Sequence, residues 1–278
     1  MKTLIVLTDF SKSAVNAAHY AAALTQQVLV SRIILFNAYE YKPVATDIPM
    51  SYSIGMEALR EESHRRLEQL KMELLPLVSQ HTSIDTLARE ETLLYAIAAL
   101  DNEFHAELIV MGITGMSGFE RVVIGSNTIT VAREISSPLL LVPNSVTYQR
   151  INKVVFATDL NQGARKTALE LKSIINIMGA KLLILNVEKR GTAHFQTDLI
   201  AEQAMLHEVW DCEDPEYYFN NNEDIAAGII DFIKTHDVQM LIAIPRKHGF
   251  IEGIFHRSIT KKLTYHSPIP LLLLQQKD

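Results

Sequence analysis

The sequence of 278 residues predicts an α/β protein of two similar units, each with a parallel β-sheet covered by helices on both faces. Short apolar runs alternate with segments of helical period along the whole chain, which favours this class. The order of landmarks in the first half also recurs in the second half. The matching segments are Leu4–Ser11 with Val154–Asn161, Ile33–Ala38 with Leu182–Val187, and Ser137–Val142 with Ser267–Leu272. We therefore predict domains at residues 1–147 and 148–278.

The second copy is shorter than the first by about twenty residues, which we place mostly between its second and fourth strands. Five strands are predicted in the first unit, at Lys2–Leu7, Arg32–Ala38, Ser83–Arg89, Glu107–Met111 and Pro138–Val142. Since connections between parallel strands are right-handed, this pattern gives a Rossmann-like or flavodoxin-like order of five strands. Ligands of such sheets bind where the strand order reverses. Asp9 follows the first strand and Gly112 follows the fourth.

The predicted helices each have one face of small or apolar side chains that can lie on a sheet. In the first helix this face contains Ala14, Ala17, Ala18, Ala21 and Thr25. In the second helix, from about Met56 to Leu75, it contains Leu59, Ser63, Leu67, Leu70, Leu74 and Leu77. The first helix of the second unit contains Ala164, Ala168, Leu171, Ile175 and Met178, and the next helix, around Leu199–Trp210, is shorter.

Composition narrows the class of function. A net charge of −6 without long like-charge runs argues against nucleic acid or an anionic membrane as the main partner. The single cysteine, Cys212, excludes an internal disulfide, and the ten histidines lack metal-ligand spacing. The apolar run after Lys2 ends at Thr8, too early for a signal peptide, and no segment has membrane-spanning length. We expect a cytoplasmic protein.

The most specific motif follows the apolar run Leu108–Met111. It contains Gly112 and Gly115, nine further residues, and then Gly125, Ser126 and Asn127. Glycines let the main chain approach a charged ligand closely, and the N–H groups that open a helix can bind phosphate oxygens. The motif therefore predicts a phosphate site. The alternative is a tight β-to-α loop in which the glycines serve only the turns.

This spacing resembles the nucleotide-binding signature of the universal stress protein family, and the duplicated chain resembles the tandem form of that family. The resemblance implies a stress-response regulatory protein that binds ATP or another adenine nucleotide. It implies that Asp9 contacts the adenosine part and that the backbone of Ala38 meets the adenine. It further implies that Gly112 and Gly115 line the ribose and phosphates, and that Gly125, Ser126 and the N–H of Asn127 hold the phosphate chain. The sequence leaves open whether Mg²⁺ accompanies the phosphates.

Asp9 has a second interpretation, as a turn or N-cap residue at the start of the first helix. Ser11 is itself a good cap, and the equivalent Asp159 is kept in a second unit whose motif is degenerate. In our alignment of the two units, Gly112 becomes Pro245, Gly115 falls at Lys247 or His248, Gly125 becomes Arg257, Ser258 stands opposite Ser126, and the loop is one residue shorter. We therefore predict one nucleotide per chain.

Two other segments have alternative interpretations. The degenerate loop is basic, and its charged residues are Arg246, Lys247, His248, His256 and Arg257, followed by Lys261 and Lys262. This cluster fits either a second anion site or a solvated face. Residues Tyr39–Gly55 form a long connection beside the predicted adenine site. It is either a lid over the nucleotide or a mobile loop or interface arm.

No catalytic set emerges from the spacing of serines, histidines and acids, and the phosphate loop lacks a Walker lysine. The loop Ser-Gly-Gly-x-Asp-Ser of related nucleotide-activating enzymes is replaced by Thr8-Asp9-Phe10-Ser11. We therefore predict a regulatory protein with an unknown protein partner, not an enzyme. The alternatives are an interaction or assembly protein that needs no nucleotide, and a slow nucleotide phosphohydrolase.

The last strand of each predicted unit, Pro138–Val142 and Ile269–Leu274, is apolar and lies at an edge. Exposed apolar edges favour aggregation, so we expect the two units to pair through these strands as a pseudo-twofold dimer within the chain. The sequence leaves open whether the whole chain forms a homodimer.

Overall fold

The computed structural model describes residues 2–40, 52–113, 131–132, 135–158, 165–188, 215–244, 263 and 267–275. Contacts between Cα atoms divide the chain into two compact units, with a boundary between Tyr148 and Gln149. Within the described part of the chain, no helix combines the length and the apolarity needed to cross a membrane.

The first unit alternates strands and helices in the predicted order. Its elements are β1 (Thr3–Leu7), α1 (Lys12–Leu24), β2 (Arg32–Tyr39), α2 (Tyr52–Leu74), β3 (Ser83–Glu90), α3 (Leu93–Phe104), β4 (Leu108–Ile113) and β5 (Leu139–Pro143). The strands pair in the order β3-β2-β1-β4-β5, and these pairs are parallel. The predicted α/β class is therefore confirmed. Of the two strand orders expected, this is the Rossmann-like one, and it reverses between β1 and β4.

The second unit repeats this plan. Its elements are β6 (Lys153–Ala157), α4 (Arg165–Met178), β7 (Lys181–Glu188), β8 (Glu216–Asn221), α5 (Ile225–His236), β9 (Met240–Ala243) and β10 (Leu271–Leu273). The strands of this unit pair in parallel in the order β8-β7-β6-β9-β10. The order therefore reverses between β6 and β9. The predicted association of the two units through their last strands stays a prediction.

The core of each unit lies between the sheet and the helices. The central strand β1 has Leu4, Ile5 and Val6 with no exposed surface, and the alanine face of α1 is buried on the sheet as predicted. Small side chains let a helix axis approach a sheet closely. In α4, Leu171, Ile175 and Met178 are buried as predicted. Ala168 lies within α4, whereas Ala164 and the predicted helix at Leu199–Trp210 fall outside the described residues.

Helix α2 differs from the prediction at both ends. It begins at Tyr52 instead of Met56, and Met56 is buried. Leu59 and Leu77 were predicted on the buried face but are 36% and 37% exposed. Leu59 lies at the margin of the apolar stripe, and Leu77 lies beyond the end of the helix, so neither is covered by the sheet. The predicted inner residues Ser63, Leu67, Leu70 and Leu74 are buried.

The predicted connection Tyr39–Gly55 is shorter than expected at both ends. Tyr39 still belongs to β2, and Tyr52 already belongs to α2. Residues 41–51 lie outside the described part of the chain. The lid and its alternatives therefore stay predictions.

Helix caps align the two units independently of sequence. Thr92 caps α3 and Asp224 caps α5, and each accepts a hydrogen bond from a backbone N–H of the first turn. Left-handed residues end the same helices, His105 with φ 47° and Asp237 with φ 52°. Both pairs of positions differ by 132 in residue number (224 − 92 and 237 − 105). Helices α3 and α5 therefore have the same length, 12 residues each.

The residues that lead into the last strand of each unit also differ by 132 in residue number. The carbonyl of Pro138 accepts from the N–H of Ile109, and the carbonyl of Pro270 accepts from the N–H of Leu241, at 2.9 and 3.0 Å. Pro270, not Pro268, is thus the counterpart of Pro138. The offset between the two units is 132 both before the phosphate loop (241 − 109) and after it (270 − 138). The predicted shortening of this loop by one residue is therefore wrong.

The second unit is shorter than the first because it has fewer residues between its second and third strands, within the segment predicted above. Val6 pairs with Leu35, and its counterpart Phe156 pairs with Ile184. Leu35 in turn pairs with Thr86, whereas Ile184 pairs with Tyr217. The separation between these neighbouring strands is therefore 51 residues in the first unit (86 − 35) and 33 in the second (217 − 184).

Candidate nucleotide site

The reversal of strand order in the first unit brings together three segments of the predicted site. The carboxyl end of β1 leads into the turn Thr8–Ser11, β4 ends with Gly112 and Ile113, and β2 ends with Ala38 and Tyr39. In open α/β sheets the crevice at such a reversal receives ligands, because the loops on either side turn to opposite faces.

The turn after β1 is held by its own side chains. Thr8 Oγ1 accepts a hydrogen bond from the N–H of Phe10 at 2.9 Å, and Asp9 Oδ1 accepts one from the N–H of Ser11 at 2.9 Å. Ser11 Oγ then accepts from the N–H of Ala14 at 3.3 Å and is the N-cap of α1. Asp9 is therefore a turn residue and not the cap, and its exposed side chain lies beside the reversal point.

Gly112 has a packing role that sequence reasoning missed. A Cβ atom built at this position would overlap the carbonyl oxygen of Ser13 and lie 2.7 Å from the backbone N of Ala14. The first turn of α1 therefore rests directly on the backbone of β4. The glycine is required at this contact whether or not a ligand binds, and only the fold could reveal it, since Ser13 and Gly112 are far apart in sequence.

Ala38, the last residue of the predicted second strand, lies one residue before the end of β2 and pairs with Arg89 of β3. The Phe36 carbonyl accepts from the N–H of Thr8 at 2.9 Å, so the backbone groups of Phe36 face β1. Because alternate residues of a strand face the same way, the N–H and C=O of Ala38 point to the β1 side as well. The register between β1 and β2 ends at Leu7 and Phe36. The backbone of Ala38 thus faces the crevice beyond the end of β1.

A buried asparagine is a second feature that sequence reasoning missed. Asn37 Nδ2 donates to the Thr8 carbonyl at 2.7 Å, and Asn186 Nδ2 donates to the Thr158 carbonyl of the second unit at 3.2 Å. Both asparagines are less than 9% exposed. The signal was present in the repeat, because the two matched strands each carry an asparagine at the same place.

Gly115, Gly125, Ser126 and Asn127 lie outside the described residues, and so do Asp159, Trp210, Cys212 and the basic cluster from Arg246 to Lys262. Their predicted roles therefore rest on sequence. In the part of the chain that is described, no group of three or more histidine, cysteine, aspartate or glutamate side chains could hold a metal ion.

The second unit differs from the first at the end of its fourth strand. Leu4 pairs with Leu108 and its counterpart Val154 pairs with Met240, so counting along β9 places Ile244 opposite Gly112. The predicted match to Pro245 is one residue off, because landmark alignment placed a gap where the ladder has none. The constant offset instead sets Lys247 opposite Gly115, Arg257 opposite Gly125 and Ser258 opposite Ser126.

A cleft of about 470 Å³ lies beside the ends of β2 and β3. Its lining residues are Tyr39, Met56, Glu57, Arg60, His64, Ala88, Arg89, Glu90 and Glu91. Burial raises the pKa of the Tyr39 phenol above its ordinary value; Arg60 opposes this rise, whereas Glu90 and Glu57 add to it. Charges of both signs line the cleft, so it has no strong preference for an anion.

Comparison with known proteins shows which family and which solved structures the chain resembles. The model of the universal stress protein family matches residues 1–143. A universal stress protein from Archaeoglobus fulgidus DSM 4304 has a similar structure, with a TM-score of 0.77 and 16% identity over 99% of this chain and 98% of that chain.

Two proteins from Pseudomonas aeruginosa also share the fold. A putative universal stress protein from strain UCBPP-PA14 has a TM-score of 0.56 and 13% identity over 98% of this chain and 92% of that one. A functionally unknown protein from strain PAO1 has a TM-score of 0.53 and 14% identity over 99% and 92%. The comparison with curated proteins gave no match. Since the family model covers just over half of the sequence, the chain belongs to the universal stress protein family.

Proposed function

We propose that the chain is an adenine-nucleotide-binding regulatory protein of the stress response, with its nucleotide site at the carboxyl ends of β1 and β4. The observation that carries the proposal is the reversal of strand order at this point, which brings Asp9, Ala38 and Gly112 to one crevice. These are three of the residues that the family resemblance implies for nucleotide contact.

The backbone of Ala38 supports the adenine end of the proposed site. Its N–H and C=O face the crevice, so they offer one donor and one acceptor to the edge of a base. The motif Gly112–Ser126 follows β4 in sequence and supports the phosphate end. The ligand is ATP or a related adenine nucleotide, with Mg²⁺ as an accompanying ion to be tested.

We propose that the second unit is a second domain of the same family that has lost this site. Its strand order matches that of the first unit, but Ile244, Lys247 and Arg257 stand opposite the three glycines of the motif. Glycine has no side chain, so its replacement by isoleucine, lysine or arginine removes the close approach to the main chain that the motif predicts for a phosphate group. One nucleotide per chain follows.

Nucleotide occupancy is the regulatory signal in this proposal, read by a protein partner in the cytoplasm. We propose no dedicated catalytic activity, because the spacing of serines, histidines and acids in the sequence offers no catalytic set and the phosphate loop has no Walker lysine. The second candidate is an interaction protein that needs no nucleotide. The turn made by Asp9 and the packing contact of Gly112 favour it, because both residues serve the fold itself.

The test is to identify the small molecule that copurifies with the protein by mass spectrometry, and then to titrate nucleotide-free protein with ATP, ADP and AMP by calorimetry, with and without Mg²⁺. We expect an adenine nucleotide and saturable binding that Ser126→Ala weakens. Absence of binding by all three nucleotides would favour the interaction protein. ATP turnover well above that of the Ser126→Ala variant would favour the phosphohydrolase.

A further inference from the structure

A chain of buried hydrogen bonds joins α2 to the turn after β1. Ser63 Oγ donates to Asn37 Oδ1 at 2.7 Å, and Asn37 Nδ2 donates to the Thr8 carbonyl at 2.7 Å. Ser63, Asn37 and Thr8 are 4%, 7% and 5% exposed. Water does not compete with these bonds, so the orientation of the Asn37 amide is fixed by its two partners.

The hydrogen bond from the Asn37 side chain to the Thr8 carbonyl also determines where the β1–β2 ladder ends. The last backbone bond of this ladder runs from the N–H of Thr8 to the Phe36 carbonyl. In a continued parallel ladder, the Thr8 carbonyl would next accept from the N–H of Ala38. The Asn37 side chain donates to that carbonyl instead. The side chain thereby lets β1 turn away after Thr8 while the backbone of Ala38 faces the crevice.

Helix α2 makes a second contact with the same turn. The Arg66 guanidinium lies 4.4 Å from the centre of the Phe10 ring, a cation–π distance. Phe10 has φ 63°, a left-handed conformation that costs energy in a residue with a large side chain. Ser63 and Arg66 are one helical turn apart on α2. The helix therefore reaches the turn on both sides of Asp9, at Thr8 through Asn37 and at Phe10 directly.

We propose that Asn37 and Ser63 are positioning residues of the nucleotide site. The relay that they form holds the turn so that Asp9 and the backbone of Ala38 face the same ligand. This inference rests on the proposed function, since it needs a nucleotide at that crevice. Neither residue touches the ligand; both act through the Thr8 carbonyl.

The second unit supplies a matched control for this relay. Asn186 makes the same amide-to-carbonyl bond to Thr158, and the N–H of Thr158 donates to the Leu185 carbonyl at 3.0 Å, as Thr8 does to Phe36. Removing the Asn37 amide deletes its bonds to Thr8 and Ser63, and removing the Asn186 amide deletes the equivalent bond to Thr158. Only the one in the first unit adjoins the proposed site.

The experiment compares Asn37→Ala, Ser63→Ala and Asn186→Ala with the unaltered full-length chain. Calorimetry gives the dissociation constant for ATP, and hydrogen exchange of the ligand-free protein reports on the amides of Phe10 and Ser11. We expect affinity to fall about tenfold or more in Asn37→Ala, which deletes two buried hydrogen bonds, and about fivefold in Ser63→Ala, which deletes one. Exchange at both amides should accelerate in the same two variants.

Asn186→Ala should bind ATP like the unaltered chain, even where its unfolding midpoint falls as much as that of Asn37→Ala. Equal weakening by Asn37→Ala and Asn186→Ala would overturn the inference, because the effect would then be one of stability. Unaltered affinity in Ser63→Ala and Asn37→Ala would overturn it as well. If the unaltered chain itself binds no adenine nucleotide, the proposed function fails first, and the inference fails with it.

Discussion

Gly112 illustrates how one residue can serve both the fold and a site. The family motif requires a glycine here so that a ligand can approach the main chain, whereas the structure requires it because α1 rests on the same backbone. Loss of nucleotide binding on substitution of Gly112 is therefore poor evidence for a ligand contact. Gly115, Gly125 and Ser126 are better probes of the ligand.

We expect Gly112→Ala to lower the free energy of unfolding by about 3 kcal/mol, because the Cβ meets backbone atoms that cannot rotate away. Gly179→Ala is the matched control. Gly179 has φ 60° and no atom within 4 Å of the added Cβ, so only conformational strain of about 1 kcal/mol applies. Urea denaturation followed by circular dichroism measures both. Equal losses would contradict the steric explanation for Gly112.

Tyr20 links the stability of the first unit to alkaline pH. It is 3% exposed on α1 and packs edge to face on Tyr148, with ring centres 5.4 Å apart. Burial raises the pKa of Tyr20 well above its ordinary value, and Tyr148 adds to the rise. The unfolded chain therefore loses this proton at a lower pH than the folded chain. The resulting contribution to stability is complete below about pH 10 and is lost as pH rises further.

The expected result is that Tyr20→Phe loses less stability than the unaltered chain between about pH 9 and about pH 11, since phenylalanine has no proton to release. Thermal unfolding midpoints across this range provide the measurement. Tyr95→Phe is the control, because Tyr95 is 75% exposed. Parallel pH curves for Tyr20→Phe and the unaltered chain would show that Tyr20 does not titrate differently on unfolding.

At the scale of elements, the period of apolar residues was enough to predict the five strands of the first unit and the helices α1, α2 and α4, whereas α3, α5 and β8 were given no range. It could not give their register. Landmark matching set Pro245 opposite Gly112 and shortened the loop, whereas the ladders set Ile244 there. Side-chain period tells which face is buried, but only backbone pairing tells which residue of one strand lies beside which residue of the next. Asp9 was placed correctly after the first strand. Gly112 was expected after the fourth strand but lies inside β4, and Ala38 lies inside β2, each one residue before the end of its strand.

Asp101 of α3 makes hydrogen bonds to Ser136 and Ser137, the residues that lead into β5. We call these bonds the Asp101 brace. Asp101 is 8% exposed and accepts from the N–H groups of Ser136 and Ser137 at 3.0 and 3.3 Å, and from the Ser137 hydroxyl. The corresponding position of the second unit, 132 residues later, holds Ile233. The first unit thus closes this turn with a buried carboxylate that the second unit lacks.

Asp101→Ala should destabilise the protein by about 3 kcal/mol, because it leaves the buried N–H of Ser137 without its acceptor and removes the bonds to Ser136 and to the Ser137 hydroxyl. Asp85→Ala is the matched substitution at the surface. Asp85 pairs with Arg32, but both side chains are more than 40% exposed, so about 0.5 kcal/mol is expected. The urea midpoint distinguishes the two. A loss for Asp101→Ala as small as that for Asp85→Ala would rule out the brace.

Across the whole molecule, the two units share strand order, helix caps and the asparagine bond to the first turn, yet they differ where the phosphate loop leaves the sheet. The strand order, the helix caps and the asparagine bond are thus present twice, whereas the glycines of the motif and the Asp101 carboxylate are present only in the first unit. The second unit has Asp159 at the matching sequence position, and Asp9 both shapes a turn and faces the crevice of the first unit. This double role is why sequence comparison alone could not separate its two interpretations.

The paired substitutions Asp9→Ala and Asp159→Ala separate them. If Asp9 contacts the nucleotide, Asp9→Ala weakens ATP binding about tenfold or more. Asp159→Ala should leave both the affinity and the stoichiometry of one nucleotide per chain unchanged, because the second unit has no competent phosphate loop. Asp9→Asn removes the negative charge but keeps the turn, since the amide oxygen still accepts a hydrogen bond from the N–H of Ser11. Calorimetric titration of the four proteins gives both quantities. Binding of two nucleotides by the unaltered chain, with one lost in each alanine variant, would show instead that both units are active and that the glycines of the motif are dispensable for binding.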